Sequence, residues 1–93
     1  MPGGGTDYDH DAVLSFPYPA ERRARDVHDA VAVEVGEVDD DRSRATVSRA
    51  GRTVEVRVRA RDLVALRAGT NTWVRLVRVA EEIADVADVS RTE

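Results

Sequence analysis

The chain has 93 residues and a net charge of −4 from 14 arginines and 18 acids, with no lysine. That size makes one small domain, and the acidic balance argues against a protein that binds nucleic acid by bulk charge. No cysteine is present, which excludes disulfides, thiolate nucleophiles and Cys-ligated zinc. No apolar run approaches the roughly 20 residues of a membrane span, and the N-terminus lacks the basic and apolar regions of a signal peptide, so the expected location is cytoplasmic.

The first ten residues, MPGGGTDYDH, are glycine-rich and acidic and read as a mobile tail. Asp7, Asp9 and Asp11 open like a calcium loop, but the expected glycine falls on Ala12 and the bidentate glutamate position on Tyr18. The spacing therefore carries no calcium site. Ala12 to Phe16 alternates as a strand with Ala12, Leu14 and Phe16 on one face. Pro19 suits the first turn of a helix whose apolar stripe is Ala20, Ala24, Val27 and Val31. Val33 to Val35 leaves that helix, and Gly36 to Asp41 is an acidic loop. Arg44 to Ala50 and Thr53 to Ala60 alternate as a hairpin about Gly51, with Ala45, Val47, Val54, Val56 and Val58 on its buried face.

The last helix begins at Asp62, a good N-cap. Leu63, Leu66, Thr70, Trp73, Val77, Ala80 and Ala84 then step by three and four along one face. A second stripe of Gly69, Leu76 and Ile83, with Val74 and Val79 further round, makes the apolar surface wider than packing on one sheet requires. A partner for the surplus is expected. The domain is therefore read as residues 11–87, followed by a C-terminal tail at 88–93. The order strand, helix, strand, strand, helix predicts an α+β fold: a three-stranded, mainly antiparallel sheet with two helices on one face.

The core is thin for the length. There are 16 valines and 13 alanines against four leucines, one isoleucine, one phenylalanine and one tryptophan. Burying a large side chain contributes about 1.5–3 kcal/mol and an alanine methyl much less. A single copy is expected to be marginal and to gain stability from self-association or a partner. The arginine-only, valine- and aspartate-rich composition fits codon bias in a GC-rich genome or adaptation to salt. At about 1 M salt the Debye length is about 3 Å, so RNA contacts would then depend on close bidentate arginine–phosphate bonds.

Enzyme chemistry finds no foothold in the residues. The two histidines are His10 in the tail and His28 beside an apolar helix stripe. Asp39, Asp40 and Asp41 form a solvated turn without a ligand set, and Gly3 to Gly5 lacks the lysine and preceding strand of a phosphate loop. Arginines are the stronger signal. Arg57 and Arg59 point from the open face of their strand, Arg44 lies across the hairpin and Arg61 at the corner. The four are candidate RNA contacts, with Glu55 as the nearby counter-charge and no aromatic residue expected on that face to stack a base. The last helix runs Arg67, Arg75, Arg78 before Glu81, Glu82, Asp85, the reverse of what its dipole favours. That inversion marks Arg67 and Arg75 as candidates for a partner surface.

The segment RDLVALRAGTNTW, Arg61 to Trp73, resembles the start of the last helix in the Pcc family, the small dimerisation subunits of the KEOPS complex, in its archaeal type. The remaining elements follow in that family's order: a short strand ending in Phe16-Pro17, a helix from Pro19, a hairpin opened by Arg42-Ser43, and the final helix. The resemblance covers residues 12 to 86. It implies an architecture related to KH modules, although the KH GXXG loop is absent. It implies a non-catalytic scaffold in the assembly that places threonylcarbamoyl on a tRNA adenosine, with no cofactor of its own because ATP and metal belong to the catalytic subunit. The helices would pack against that Kae-type transferase, with Leu66, Arg67, Thr70, Asn71, Trp73, Val74 and Val77 as the contact positions. Dimerisation with itself or a paralogue, and contact with tRNA, would follow. An autonomous KH-like RNA-binding module is the alternative.

Overall fold

The computed structural model describes residues 8–92. Its elements run β1 (His10–Pro17), α1 (Glu21–Ala32), β2 (Ser43–Ala50), β3 (Thr53–Ala60) and α2 (Leu63–Thr92). The strands form one antiparallel sheet in the order β1-β3-β2, and both helices cover one of its faces. The expected α+β fold is thus the observed one. The tail read into residues 1–10 lies outside the described residues up to residue 7. Among the described residues no helix is long and apolar enough to cross a membrane.

Sheet register follows from the valines. Val54, Val56 and Val58 of β3 are buried at alternate positions, while Glu55, Arg57 and Arg59 between them face outward. Val56 sits opposite Leu14 on one side and Val47 on the other, so the central strand is apolar across its full inner width. A two-residue turn, Gly51-Arg52, joins β2 to β3. Gly51 has φ +60° and no other described residue except Gly36 has a positive φ, the signature of a type II′ hairpin turn with glycine at its first central position.

α1 begins later than the proline suggests. Ala20 is extended (φ −142°, ψ 147°) and its carbonyl accepts from Ala24 N–H. Pro19 therefore precedes the helix instead of forming its first turn, and Ala20 is exposed while Ala24, Val27 and Val31 are buried. α2 starts as expected: the Asp62 carboxylate accepts the Ala65 N–H at 2.7 Å. That backbone bond, followed by the Arg42 guanidinium at 3.0 Å, holds the Asp62 carboxyl below its ordinary pKa. The helix runs past residue 87 to Thr92, so most of the segment read as a C-terminal tail is helical. At 1.5 Å per residue its 30 residues span about 45 Å, well beyond the roughly 27 Å of an eight-residue strand.

The core lies between α1, α2 and the inner sheet face. Ala24, Val27, Val31, Ala45, Val54, Val56, Val58, Trp73, Val77, Ala80 and Ala84 form it, with Leu14, Phe16, Tyr18, Val38, Val47, Leu66 and Leu76 at its margin. Gly69 is small for a reason: a Cβ there would stand 2.9 Å from Val58 Cγ1. Such a contact is too close for two carbon atoms, and the β-branched Val58 has little rotameric freedom with which to move away. The close approach of α2 to β3 depends on that missing side chain.

Candidate functional site

Two surfaces remain after the core is accounted for. The first is the outward face of α2. Leu63, Val64, Val79, Ile83, Val86 and Val89 are all more than half exposed, Val64 at 72%. At the N-terminal end Leu63, Val64, Arg67, Ala68 and Asn71 line a shallow apolar groove of about 340 Å³. Towards the C-terminal end Val79, Glu82, Ile83, Val86 and Ala87 line another of about 420 Å³. Scattered apolar residues are normal on a surface, but a row along one helix marks an unpartnered face.

The positions read from the sequence as partner contacts divide between the two sides of this helix. Arg67 and Asn71 belong to the exposed groove, and Leu66, Thr70 and Val74 lie at its half-buried flank. Trp73 and Val77 do not belong to it. They are 2% and 1% exposed, packed into the chain's own core, so they cannot anchor a partner unless the domain opens. Val64, Ala68, Val79 and Val86 are the exposed small and apolar residues on the other side. Their 4-, 11- and 7-residue spacings put them on one helical face rotated away from the Trp73 stripe. Of these, Val79 already stands out in the sequence as part of the widened apolar surface.

The acids late in α2 also acquire a reason. Glu81 accepts the Tyr18 hydroxyl at 2.7 Å, and Asp85 pairs with Arg23 of α1. Both clamp the end of α2 to the segment that opens α1. The inverted charge order costs little, because α2 continues to Thr92 and leaves Glu81 and Asp85 about two to three turns short of its end, where the dipole effect has faded. Tyr18 is pushed above its ordinary pKa first by burial and then by its bond to Glu81.

The second surface is the open face of the sheet. Arg44 lies directly opposite Arg59, and Thr46 opposite Arg57. Arg44, Thr46, Arg57 and Arg59 line a groove of about 330 Å³ together with Asp39 and Ala45. Arg44, Arg57 and Arg59 thus stand on the open sheet face, and Arg61 follows the end of β3. Two expectations about their surroundings need correction. The principal counter-charge is Asp11 of β1, not Glu55: its carboxylate takes a bidentate pair from Arg57 at 2.8 and 2.9 Å. That pair holds the Asp11 carboxyl low and the Arg57 guanidinium high. An aromatic ring is also present. Tyr8 stands 5.5 Å from the Arg44 guanidinium and 5.8 Å from that of Arg61, both within cation–π range. No periodicity could have placed Tyr8, which precedes the first strand.

The acidic loop is more than a solvated turn. Asp40 accepts the backbone N–H groups of Arg42 and Ser43 at 2.7 and 2.9 Å, and Asp39 accepts that of Ala45 at 3.2 Å. These carboxylates cover the first half of the outer edge of β2, where unpaired backbone donors would otherwise invite another strand. Among the described residues no group of three or more histidine, aspartate or glutamate side chains is placed to hold a metal ion. His28 is paired with its neighbour Asp29 at 3.1 Å.

No curated protein matches this sequence. Among solved structures, a chain from the crystal structure of the binary complex Gon7-Pcc1 has the same fold. Its TM-score is 0.67 at 23% identity, over 86% of this chain and 98% of that one. The sequence pattern of the family described as "Transcription factor Pcc1" matches residues 11–85. That span runs from the Asp11 partner of Arg57 to the Asp85 partner of Arg23 and takes in every element of the sheet and most of α2. The fold and this match together place the chain in the Pcc1 family.

Proposed function

We propose that this chain is a non-catalytic adaptor of a KEOPS-type complex. It binds the catalytic Kae-type transferase through the outward face of α2, pairs with itself or a paralogue through an open sheet edge, and assists tRNA binding with Arg44, Arg57, Arg59 and Arg61. The observation that carries this reading is the row of unburied apolar side chains from Leu63 to Val89, set beside a core made mostly of valine and alanine. A helix of a partner laid along that row would bury apolar surface at about 25 cal/mol per Å². Arg67 and Arg75 would provide the polar rim of such a helix-on-helix contact. Family membership supports the assignment to the complex, and the chemistry, with its ATP and metal, belongs to the partner.

The test is purification of the tagged protein from its native cell extract with mass spectrometry of what accompanies it. A Kae-type transferase, its kinase and a further small subunit are expected. The variant Val64→Glu is expected to lose the transferase while keeping its fold. Recovery of the same set by Val64→Glu would show that α2 is not the docking face.

A second reading, an autonomous KH-like RNA-binding module, is favoured by the cluster of arginines on the open sheet face. It requires tight RNA binding by the isolated chain, with a steep dependence on salt. An adaptor binds RNA weakly alone and a helical protein tightly.

A further inference from the structure

The arginine face is not empty in the free chain. The short segment Tyr8 to Asp11 lies across it and meets its guanidiniums with two kinds of group. The Tyr8 ring sits beside Arg44 and Arg61, and its hydroxyl lies 3.5 Å from the Asp41 carbonyl oxygen. The Asp11 carboxylate receives two parallel N–H donors from Arg57 and also feels the charge of Arg59. A flat aromatic ring against a guanidinium, next to an anion held in a bidentate fork, is the pair of groups that one unpaired nucleotide offers: a base to stack and a phosphate to clamp.

We infer that the Tyr8–Asp11 segment is an intramolecular occupant of the arginine face. Its ring takes the place of a base and its carboxylate that of a phosphate, so single-stranded nucleic acid binds only by displacing these two side chains. The inference rests on the proposed role of this face in meeting RNA and adds to it a built-in competitor. The segment is well placed to leave. The Arg57–Asp11 pair is solvent-accessible on both sides, and the half-buried Tyr8 ring leans on exposed arginines, so each contact is individually weak and the ion pair is screened by salt. Displacing Tyr8 breaks no ladder bond of the sheet, since β1 begins only at His10, and Asp11 yields by turning its side chain from Arg57 while its backbone stays in β1.

The two contacts predict different selectivities. Losing the ring should favour ligands that carry bases, and losing the carboxylate should favour any polyanion. The experiment uses the full chain and its variants Tyr8→Ala, Asp11→Asn and Arg57→Gln/Arg59→Gln, each checked for an unchanged far-ultraviolet circular dichroism spectrum. Binding of a fluorescein-labelled oligouridylate is followed by anisotropy at low and high salt, with inorganic polyphosphate as the competitor that lacks bases. Tyr8→Ala is expected to bind oligouridylate about fivefold more tightly, given the size of exposed cation–π and ion-pair contacts, with little change for polyphosphate. Asp11→Asn is expected to tighten both by a similar factor, and adding the Arg57→Gln/Arg59→Gln changes should abolish that gain. Equal affinity of the wild type and both single variants, with binding still lost in the arginine variant, would overturn the competitor and leave the RNA role standing. Absence of binding by every form at low salt would overturn both.

Discussion

The two sides of α2 are built from the same kind of residue and do opposite things. Trp73, Val77, Ala80 and Ala84 face the sheet and are nearly inaccessible, while Val64, Val79, Ile83 and Val86 on the other side stand in solvent. Hydropathy does not separate the two rows. What separates them is fit. The inward row is small where the sheet comes close, with Gly69 against Val58 and the alanines, and largest at Trp73, which lines a small cavity of about 90 Å³ with Ser43, Val58 and Gly69. The outward valines and isoleucine are not graded in size against any neighbour.

Substitutions on each side test that division. The largest effect is expected from Trp73→Ala, which deletes the biggest side chain of a valine and alanine core. It should cost about 3–5 kcal/mol and leave much of the monomer unfolded, as followed by circular dichroism in urea. A cost below about 1 kcal/mol would mean that Trp73 is not an inward residue at all. Next comes Gly69→Ala. Alanine should improve an exposed helix by about 1 kcal/mol, but here the new methyl meets Val58, and overpacking of about 1–3 kcal/mol should outweigh that gain. In a Val58→Ala background the same substitution should become neutral or stabilising. A double-mutant cycle reads that change of sign directly.

Tyr18→Phe is expected to cost about 0.5–1.5 kcal/mol through loss of the bond to Glu81. It carries a pH signature as well. The folded state raises the Tyr18 pKa above its unfolded value, so the stability it contributes is complete below about pH 10 and is lost as the pH climbs towards the folded value. Alkaline titration of the urea midpoint should show this decline in the wild type and a smaller one in Tyr18→Phe. The smallest effect on folding belongs to the outward row. Arg67→Gln with Arg75→Gln should change stability by less than about 0.5 kcal/mol while weakening assembly with the helical partner in co-purification. Unchanged assembly would assign these arginines to solvent alone.

Much of this arrangement was legible in the amino-acid order, and the failures share a cause. The hairpin was readable because valines alternate with charges and a glycine marks the turn. The start of α2 was readable because Asp62 supplies a cap that needs only local geometry. The inward side of α2 was readable in part: Trp73, Val77, Ala80 and Ala84 step along one face and all are buried, while Leu63 of the same stripe is exposed because the wide apolar circumference blurs where that face ends. The start of α1 was missed because Pro19 is compatible with either side of a helix boundary, and the extended Ala20 settles the choice through the chain path from β1. Asp11, Tyr8, Asp39 and Asp40 act through contacts with residues far along the chain or through backbone donors at a sheet edge. No spacing rule encodes either kind of contact. The arginines of the open face were readable from alternation, but their contacts with Asp11 and Tyr8 were not.

The strand order carries a kinetic consequence. β2 and β3 are joined by a two-residue turn and can pair as soon as that turn forms, whereas β1 reaches the other side of β3 only after the whole of α1 and the acidic loop have been drawn in. Closing that long loop delays β1 relative to the hairpin. The expected sequence is hairpin first, with β1 docking late, and pulse-labelled hydrogen exchange would reveal it as protection of the Glu55 and Arg57 amides, which face β2, before those of Val56 and Leu14, which join β3 to β1. A strand that arrives last is also the strand most readily lent to a neighbouring copy. At high concentration during refolding, exchange of β1 between chains is the misassembly this topology invites.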